Sequence, residues 1–236
     1  MSDAWNDVAD WWIDAVRDDP ANSDDYLALL DEVLDDDPAN QRSDRLTLDV
    51  GCGEGQVMRH LGGAIIGIDV VAPLLIRAQS AGPTVRAELP DLSWARTAAF
   101  DRAICVGVVE AVADHHTLFC ELRRVTRPNG QLVVVSNHPV TTAPHAEPMV
   151  DPNGEVFWRW GDYLGSGEVR QRVGDGVVVL HHRPIGRLLG AAAAAGWRLD
   201  RLIEHGPSAA TLARHPDVGG QTGIPTLVGM RWASIQ

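Results

Sequence analysis

The sequence predicts an α/β domain with a largely parallel sheet, helices on both faces of that sheet, and an N-terminal helical cap. From Arg45 onward, short apolar segments alternate with helix-like segments, which is the pattern of parallel strands joined by crossover helices. Residues 1–44 carry apolar residues at helical spacing and contain no comparable strand. The 236 residues, of which 45% are hydrophobic, are enough for one domain with a single sizeable core.

The cap is predicted from two helical segments with a strongly acidic composition. Residues 2–17 and 23–34 have apolar residues at helical spacing, and Pro20 separates them. Residues 1–44 contain 14 acids against two Arg, whereas the rest of the chain contains 18 acids and 18 Arg. We interpret the acids, including the run from Asp35 to Asp37, as a solvated face of the cap.

The elements of the main domain follow in order from Arg45. We predict strands over residues 46–50, 64–69, 84–88, 100–106, 131–136, 177–180, 197–203 and 226–232, with helices near 60–61 and over 72–81, 114–126 and 184–195. Residues 137–176 are rich in Pro, Gly, His and Trp and are expected to be irregular. Such a long stretch in a compact domain typically forms a lid or a substrate wall. The predicted organisation is therefore a cap (1–44), a domain (45–236) and an insert at about 137–176.

Composition excludes several function classes. All 20 basic residues are Arg, so a Schiff-base lysine and a phosphate-loop lysine are excluded. A neutral main body beside an acidic cap predicts that nucleic acid is not a partner. The three cysteines form no Cys-x-x-Cys pair, so neither a metal site nor a disulfide framework is expected. No basic-apolar leader or long apolar run is visible, and we expect a cytoplasmic protein that does not associate with membranes.

A glycine-rich turn follows the first predicted strand. The turn reads Gly51-Cys52-Gly53-Glu54-Gly55 directly after Asp49-Val50, and Asp69 ends the second strand, 20 residues after Asp49. Glycines at a strand-to-helix turn allow positive φ and let a ligand approach bare backbone. An acid at the end of the second strand can accept both ribose hydroxyls of an adenosine. The pattern predicts a cofactor site at the carboxyl edge of the sheet.

Two cofactor classes use this geometry. A dinucleotide sets its pyrophosphate on the helix N-terminus, but position 56 is Gln56 rather than the third glycine, and Glu54 would bring a carboxylate close to the pyrophosphate. S-adenosylmethionine carries a sulfonium and an ammonium, which nearby acids favour. The charges therefore favour S-adenosylmethionine over NAD.

With these residues the chain resembles the class I S-adenosylmethionine-dependent methyltransferases. The resemblance covers roughly residues 45–137, including Phe100-Asp101 and the turn Arg127-Pro128-Asn129-Gly130. It extends more loosely to residues 195–199 and to the last strand. It implies a Rossmann-like, seven-stranded and mostly parallel sheet whose last strand is antiparallel.

The resemblance also implies roles for individual residues. Asp49 and the glycine turn would hold the methionyl end of the cofactor, Asp69 the ribose, and Val70 with Glu88 and Leu89 the adenine. Cys105, Val106 and Gly107 would border the methyl group. The residues expected to bind the cofactor are thus Asp49, Gly51, Cys52, Gly53, Gly55, Asp69, Val70, Glu88, Leu89, Cys105 and Val106. Ala111 departs from the family, many of whose small-molecule members have a histidine after the Val109-Glu110 pair.

Three further residues are candidates for the methyl acceptor's site. His138 directly follows the fifth strand, at the sheet edge that also carries Gly53 and Asp69, and an imidazole there could act as a general base. Tyr163 lies in the irregular segment, and His182 belongs to a His-Arg segment that loosely resembles one in small-molecule members. We predict His138 as the catalytic residue and Tyr163 and His182 as substrate-binding residues.

The predicted acceptor is a small molecule, methylated on an oxygen or a nitrogen. The fourth strand ends in Cys105-Val106-Gly107-Val108-Val109-Glu110, which is not the Asn/Asp-Pro-Pro-aromatic motif of enzymes that methylate amino groups of nucleic acids. The insert of about 40 residues is typical of a closed pocket. Two alternatives remain open: a non-catalytic subunit that binds the cofactor, and an NAD-dependent oxidoreductase.

Overall fold

The structure, a computed structural model, describes residues 2–35, 45–216 and 222–235. Its strands are β1 (Thr47–Val50), β2 (Ile65–Asp69), β3 (Thr84–Arg86), β4 (Phe100–Val106), β5 (Thr126–Asn137), β6 (Glu147–Val150), β7 (Val156–Arg159), β8 (Gly167–Val173), β9 (Gly176–His182), β10 (Trp197–His205) and β11 (Leu227–Ser234). Seven of them form one sheet in the order β10-β11-β5-β4-β1-β2-β3. Strand β11 is antiparallel to β10 and β5, and the other neighbouring pairs are parallel. The predicted Rossmann-like, seven-stranded, mostly parallel sheet is confirmed.

The helices lie mainly between the strands. They are α1 (Ser2–Asp7), α2 (Ala9–Trp11), α3 (Asp24–Leu34), α4 (Gln56–Leu61), α5 (Ala72–Ala78), α6 (His115–Val125), α7 (Pro139–Thr142), α8 (Ile185–Ala194) and α9 (Ala209–Arg214), with a π-helical turn at Trp12–Val16 and a 3₁₀ turn at Val109–Ala111. The Asp114 side chain caps α6 by accepting the Thr117 N–H at 3.0 Å. Helix α9 has no counterpart among the predicted elements.

The core lies on both faces of the sheet, because helices cover both. On one face, Phe119 of α6 packs with Trp197 and Trp232 of the last two strands. On the other face, apolar residues of α3 pack against β4 and β5 in a cluster that includes Leu30 and Val133. Helix α3 is therefore a covering layer of the sheet itself.

Acidic residues of the N-terminal segment contact the main domain. The contacts are Asp19 with His215 at 2.8 Å, Asp31 with His60 at 2.7 Å, Glu32 with His205 at 2.7 Å, and Asp25 accepting the Thr211 hydroxyl at 2.7 Å. Asp31 and Glu32 remain exposed, in line with the expected solvated acidic face, whereas Asp19 and Asp25 are partly buried against their partners from later segments. The rest of the acidic run (Asp36 and Asp37) and the proposed boundary at residue 44 lie outside the described residues.

The predicted single helix over residues 2–17 is interrupted at Val8. Val8 is buried against the hairpin of β8 and β9. Ala9 and Ile13 instead pack against Val71 and Leu74 at the start of α5. The interruption lets the two parts of the segment contact two different surfaces.

The segment expected to be irregular, residues 137–176, contains regular structure. It holds α7, the antiparallel pair of β6 and β7, and most of the antiparallel pair of β8 and β9. Every residue of β6 is exposed, so this strand lacks the alternation of buried and exposed residues on which the prediction depended. Among the described helices, none is long and apolar enough to cross a membrane.

Candidate cofactor and acceptor site

A cleft at the carboxyl ends of β1, β2 and β4 has two adjoining compartments. The first is lined mainly by apolar groups, and the second has more polar walls. Residues shared by both are Trp5, Trp12, Gly51, Gly53, Val106 and Gly107. The cleft lies where ligands bind in open α/β sheets.

The glycine turn forms the floor between the compartments. Gly51 has a φ of +69°, and a Cβ there would lie 2.3 Å from Cγ2 of Val108, so only glycine fits. Gly53 has a φ of +53°, and a Cβ there would lie 3.9 Å from Nε1 of Trp12, which is ordinary van der Waals contact. Gly55 lines neither compartment; its φ is +91° and a Cβ would lie 2.9 Å from Cα of Ala78. Gly55 therefore serves the packing of α4 on α5.

Asp69 is oriented by the backbone of two loops. Its Oδ2 accepts the Gly53 N–H at 2.9 Å, and its Oδ1 accepts the Val71 N–H at 2.8 Å. Burial raises the pKa of Asp69, and the hydrogen bonds from Val71 and Gly53 oppose that rise. Asp69 lines the first compartment together with Val70, Glu88 and Leu89, as the predicted ribose and adenine sites require.

Asp49 faces the second compartment as a buried carboxyl group. Its side chain is 1% exposed, and Oδ2 has no hydrogen-bond partner among the described residues. Burial, and then the charge of Asp69, raise the pKa of Asp49 to about 8. A buried carboxyl oxygen without a partner is costly, and a cationic ligand group would provide the missing partner. Asp49 thus fits the ammonium of S-adenosylmethionine, whereas a pyrophosphate would be repelled.

Glu54 contributes less charge to the loop than the sequence suggested. Its carboxylate forms an ion pair with Arg59, which also donates to the Glu54 carbonyl oxygen at 2.8 Å. The ion pair compensates the charge expected to repel a pyrophosphate. The electrostatic distinction between the two cofactor classes therefore depends on Asp49.

The predicted residues at the methyl position occupy different environments. Val106 lines both compartments, and Cys52 lines the second. Cys105 is fully buried in the core and lines neither compartment, because successive strand residues point to opposite faces. Burial raises the pKa of both thiols, so neither is a ready nucleophile. The structure does not support a role for Cys105 at the methyl group.

His138 is not among the residues lining the two compartments. Its Nδ1 accepts the Val140 N–H at 3.1 Å and caps the short helix α7, while Nε2 lies 2.9 Å from Glu204 Oε1. Burial lowers the pKa of His138, and Glu204 opposes that effect. Both ring nitrogens have partners within the protein, so this position does not support the predicted role of general base.

Tyr163 and His182 contact each other away from both compartments. His182 Nε2 lies 2.9 Å from the Tyr163 carbonyl oxygen, and the Tyr163 hydroxyl accepts the Ile185 N–H at 3.3 Å. His182 is buried, at 2% exposure. These contacts join the insert to the start of α8, and they do not support the predicted role in substrate binding.

The sequence prediction missed most walls of the second compartment. The missed residues include the polar ones Arg17, Asn22, Glu110, Asn137 and Gln171 and the aromatic ones Trp5 and Tyr26. Glu110 lies in the turn after β4, and Asn137 is the last residue of the neighbouring parallel strand β5, so both lie at the carboxyl edge of the sheet. Because the carboxyl ends of neighbouring parallel strands lie at one edge of a sheet, the sequence could have identified Glu110 and Asn137 as site residues. The N-terminal residues reach the site only through tertiary packing.

Comparisons with known proteins agree with this geometry. A family described as methyltransferase domain matches residues 48–134. Trans-aconitate 2-methyltransferase from Azoarcus sp. (strain BH72) is 35% identical over 112 residues, which is 45% of this chain and 42% of that protein. The chain thus spans less than half the length of this curated relative.

Solved structures share the fold over most of their length. An S-adenosylmethionine-dependent methyltransferase from Mesorhizobium loti is 27% identical, with a TM-score of 0.67 over 80% of this chain and 91% of that one. A glycopeptide N-methyltransferase in complex with S-adenosyl-L-homocysteine is 10% identical, with a TM-score of 0.58 over 92% and 90% of the two chains. Residues 48–134 thus match a methyltransferase-domain family. The glycine turn, the sheet order and the unpartnered carboxyl group of Asp49 support a class I S-adenosylmethionine-dependent methyltransferase with S-adenosylmethionine as its cofactor.

Proposed function

We propose that this protein transfers the methyl group of S-adenosylmethionine to an oxygen or nitrogen atom of a small molecule. The observation that supports this most strongly is the partial enclosure of the second compartment by separate parts of the chain. The N-terminal segment contributes Trp5, Trp12 and Tyr26 to its walls, and the hairpin of β8 and β9 contributes Val173 and Val178. A compartment enclosed in this way suits a molecule of modest size better than a macromolecular surface.

The proposed roles follow the two compartments. The first would hold the adenosine, with Asp69 on the ribose and with Val70, Glu88 and Leu89 around the adenine. The second would hold the methionyl end, with the ammonium against Asp49, and would admit the acceptor beside Val106. The cofactor supplies an electrophilic methyl group on a positively charged sulfur. The chain's own contribution is to orient the two molecules and exclude water, which in well-oriented systems is worth about 7–11 kcal/mol of the barrier.

The domain organisation that we propose adds the cap and the insert to this arrangement. The cap (1–44) and the insert at about 137–176 would form the acceptor-side walls of the methyltransferase domain (45–236).

Screening a library of small molecules for compounds that make the protein release S-adenosylhomocysteine tests the proposed function directly. We expect turnover with some of these compounds and none with DNA or RNA; turnover confined to nucleic acid or protein would contradict the proposal.

A further inference from the structure

Glu110 is an acidic group in the second compartment that forms no ion pair with the described cationic side chains lining it. Among the described residues lining this compartment, the acids are Asp49, Glu54 and Glu110, and the one cationic side chain is Arg17. Glu54 is paired with Arg59, and Arg17 Nε lies 3.3 Å from Asp18. Once the ammonium of the cofactor partners Asp49, as proposed above, the charge left facing the acceptor is that of Glu110.

The side chain of Glu110 is held with one oxygen hydrogen-bonded and the other buried without a hydrogen-bond partner among the described residues. Oε1 accepts the Asn137 Nδ2 hydrogen at 2.8 Å and lies 3.3 Å from the Asn137 backbone nitrogen. Oε2 is inaccessible to solvent and has no hydrogen-bond partner among the described residues. An oriented carboxylate with one unpartnered buried oxygen is suited to accept a hydrogen bond from a ligand.

The position of Glu110 suits contact with the acceptor. It lies in the 3₁₀ turn that follows β4, three residues after Gly107, which lines both compartments. Tyr26 lines the same compartment, and a Cβ on Gly107 would lie 3.8 Å from its Cε1. Residues from the cap, β4 and β5 therefore converge at the boundary between the cofactor's compartments.

We propose, building on the function proposed above, that the acceptor is an amine and that Glu110 binds its N–H and takes its proton. The nitrogen lone pair forms a bond to the methyl carbon while the carbon–sulfur bond breaks, and its electron pair stays on sulfur, giving neutral S-adenosylhomocysteine. The proton leaving the methylated nitrogen passes to the Glu110 carboxylate. Asn137 acts as a positioning residue. Burial raises the pKa of Glu110, which makes its carboxylate a better proton acceptor.

A carboxylate acceptor fits this compartment less well. It would bring a further negative charge beside Glu110, and Arg17 is already adjacent to Asp18. Tyr26, Asn137 and Gln171 also lie outside residues 48–134, the part that matches the methyltransferase family. Part of the acceptor wall is therefore set by segments that the family match does not cover, while Glu110 lies within it.

The test compares amines with alcohols and carboxylates of the same carbon skeleton, measuring S-adenosylhomocysteine release and identifying the methylated product by mass spectrometry. We expect turnover with amines. Glu110→Gln should lower kcat for such an amine by about 10²–10⁴-fold and leave the calorimetric Kd for S-adenosylhomocysteine unchanged, while Glu110→Asp should restore part of the rate. Glu168→Gln, the same change at an exposed position of β8, should match the unsubstituted protein.

The outcomes separate this inference from the proposed function. If alcohols or carboxylates are methylated and the matching amines are not, the amine assignment is wrong, while the proposed methylation of small molecules stands. This comparison uses the unsubstituted protein and therefore does not depend on the folding of any variant. An unchanged kcat of Glu110→Gln with an amine would overturn the role of Glu110. No turnover with any compound by a protein that binds the cofactor would count against both proposals.

Discussion

Asp49 is the residue whose environment most directly selects a cationic cofactor. Its carboxyl group is buried, its Oδ2 has no partner among the described residues, and its pKa is raised to about 8 by burial and by Asp69. Asp69, by contrast, is oriented by two backbone N–H groups. The two acids at the same sheet edge therefore differ in environment, in line with the proposed roles of Asp49 toward the ammonium and Asp69 toward the ribose hydroxyls.

The raised pKa of Asp49 predicts proton release on cofactor binding. At pH 7 the carboxyl group is mostly protonated in the cofactor-free protein, since its pKa is about 8. A bound ammonium favours the ionised form and lowers this pKa, so binding should release close to one proton and should strengthen as pH rises toward 8. Calorimetry in buffers of different ionisation enthalpy measures the release. Asp49→Asn should abolish it, and a wild-type titration without proton release would contradict the account.

Gly51 provides a test of the close approach in the turn. A Cβ at Gly51 would meet Val108 at 2.3 Å and would sit at a φ of +69°, so Gly51→Ala should lower the free energy of unfolding by more than ~2 kcal/mol. Gly62→Ala is the control, because Gly62 has a φ of +61° but nothing within 4 Å, and its cost should be about 1–2 kcal/mol. Equal losses in denaturant titrations would show that the contact with Val108 is unimportant.

At the scale of elements, the N-terminal segment completes the site. Trp5 and Trp12 line both compartments and contact each other edge-to-face, with ring centroids 6.0 Å apart. Val8 secures the segment on the hairpin of β8 and β9, and Ile13 secures it beside α5. The roof of the cleft is thus formed by a segment far in sequence from its floor.

Removing one aromatic ring of this roof should weaken cofactor binding. Trp12→Ala is expected to raise the Kd for S-adenosylmethionine about tenfold, which is ~1.4 kcal/mol of lost apolar contact. Trp160→Ala removes the same side chain at a position that is 62% exposed, and its Kd should not change. Calorimetric titration measures the Kd of both variants for S-adenosylmethionine. If the two Kd values are equal, Trp12 does not contribute to cofactor binding.

The success of the sequence prediction differed between elements for physical reasons. The parallel strands and the glycine turn were predictable, because β1 is buried along its whole length and the turn chemistry is local. Strands β6 and β7 were not, since their residues are largely exposed. His138 was placed at the correct sheet edge, yet its ring turns to cap α7, an orientation that no local pattern determines.

At the scale of the whole molecule, the uneven charge of the chain acquires a structural explanation. The acidic residues of 1–44 meet histidines from three separate parts of the main domain, through Asp19, Asp31 and Glu32. Exposed pairs of this kind contribute little stability each. The docking of the segment depends mainly on the apolar contacts of α3 with the sheet, and the acids add specificity to its position.

Calorimetric titration of the full-length protein with S-adenosylmethionine, S-adenosylhomocysteine and NAD⁺ tests the central assignment most directly. The account predicts saturable binding of the first two ligands at one site per chain and no binding of NAD⁺. It also predicts that Asp69→Ala weakens that binding by at least tenfold, consistent with the loss of hydrogen bonds to a charged group. Saturable binding of NAD⁺ with no heat from either sulfur ligand would contradict it.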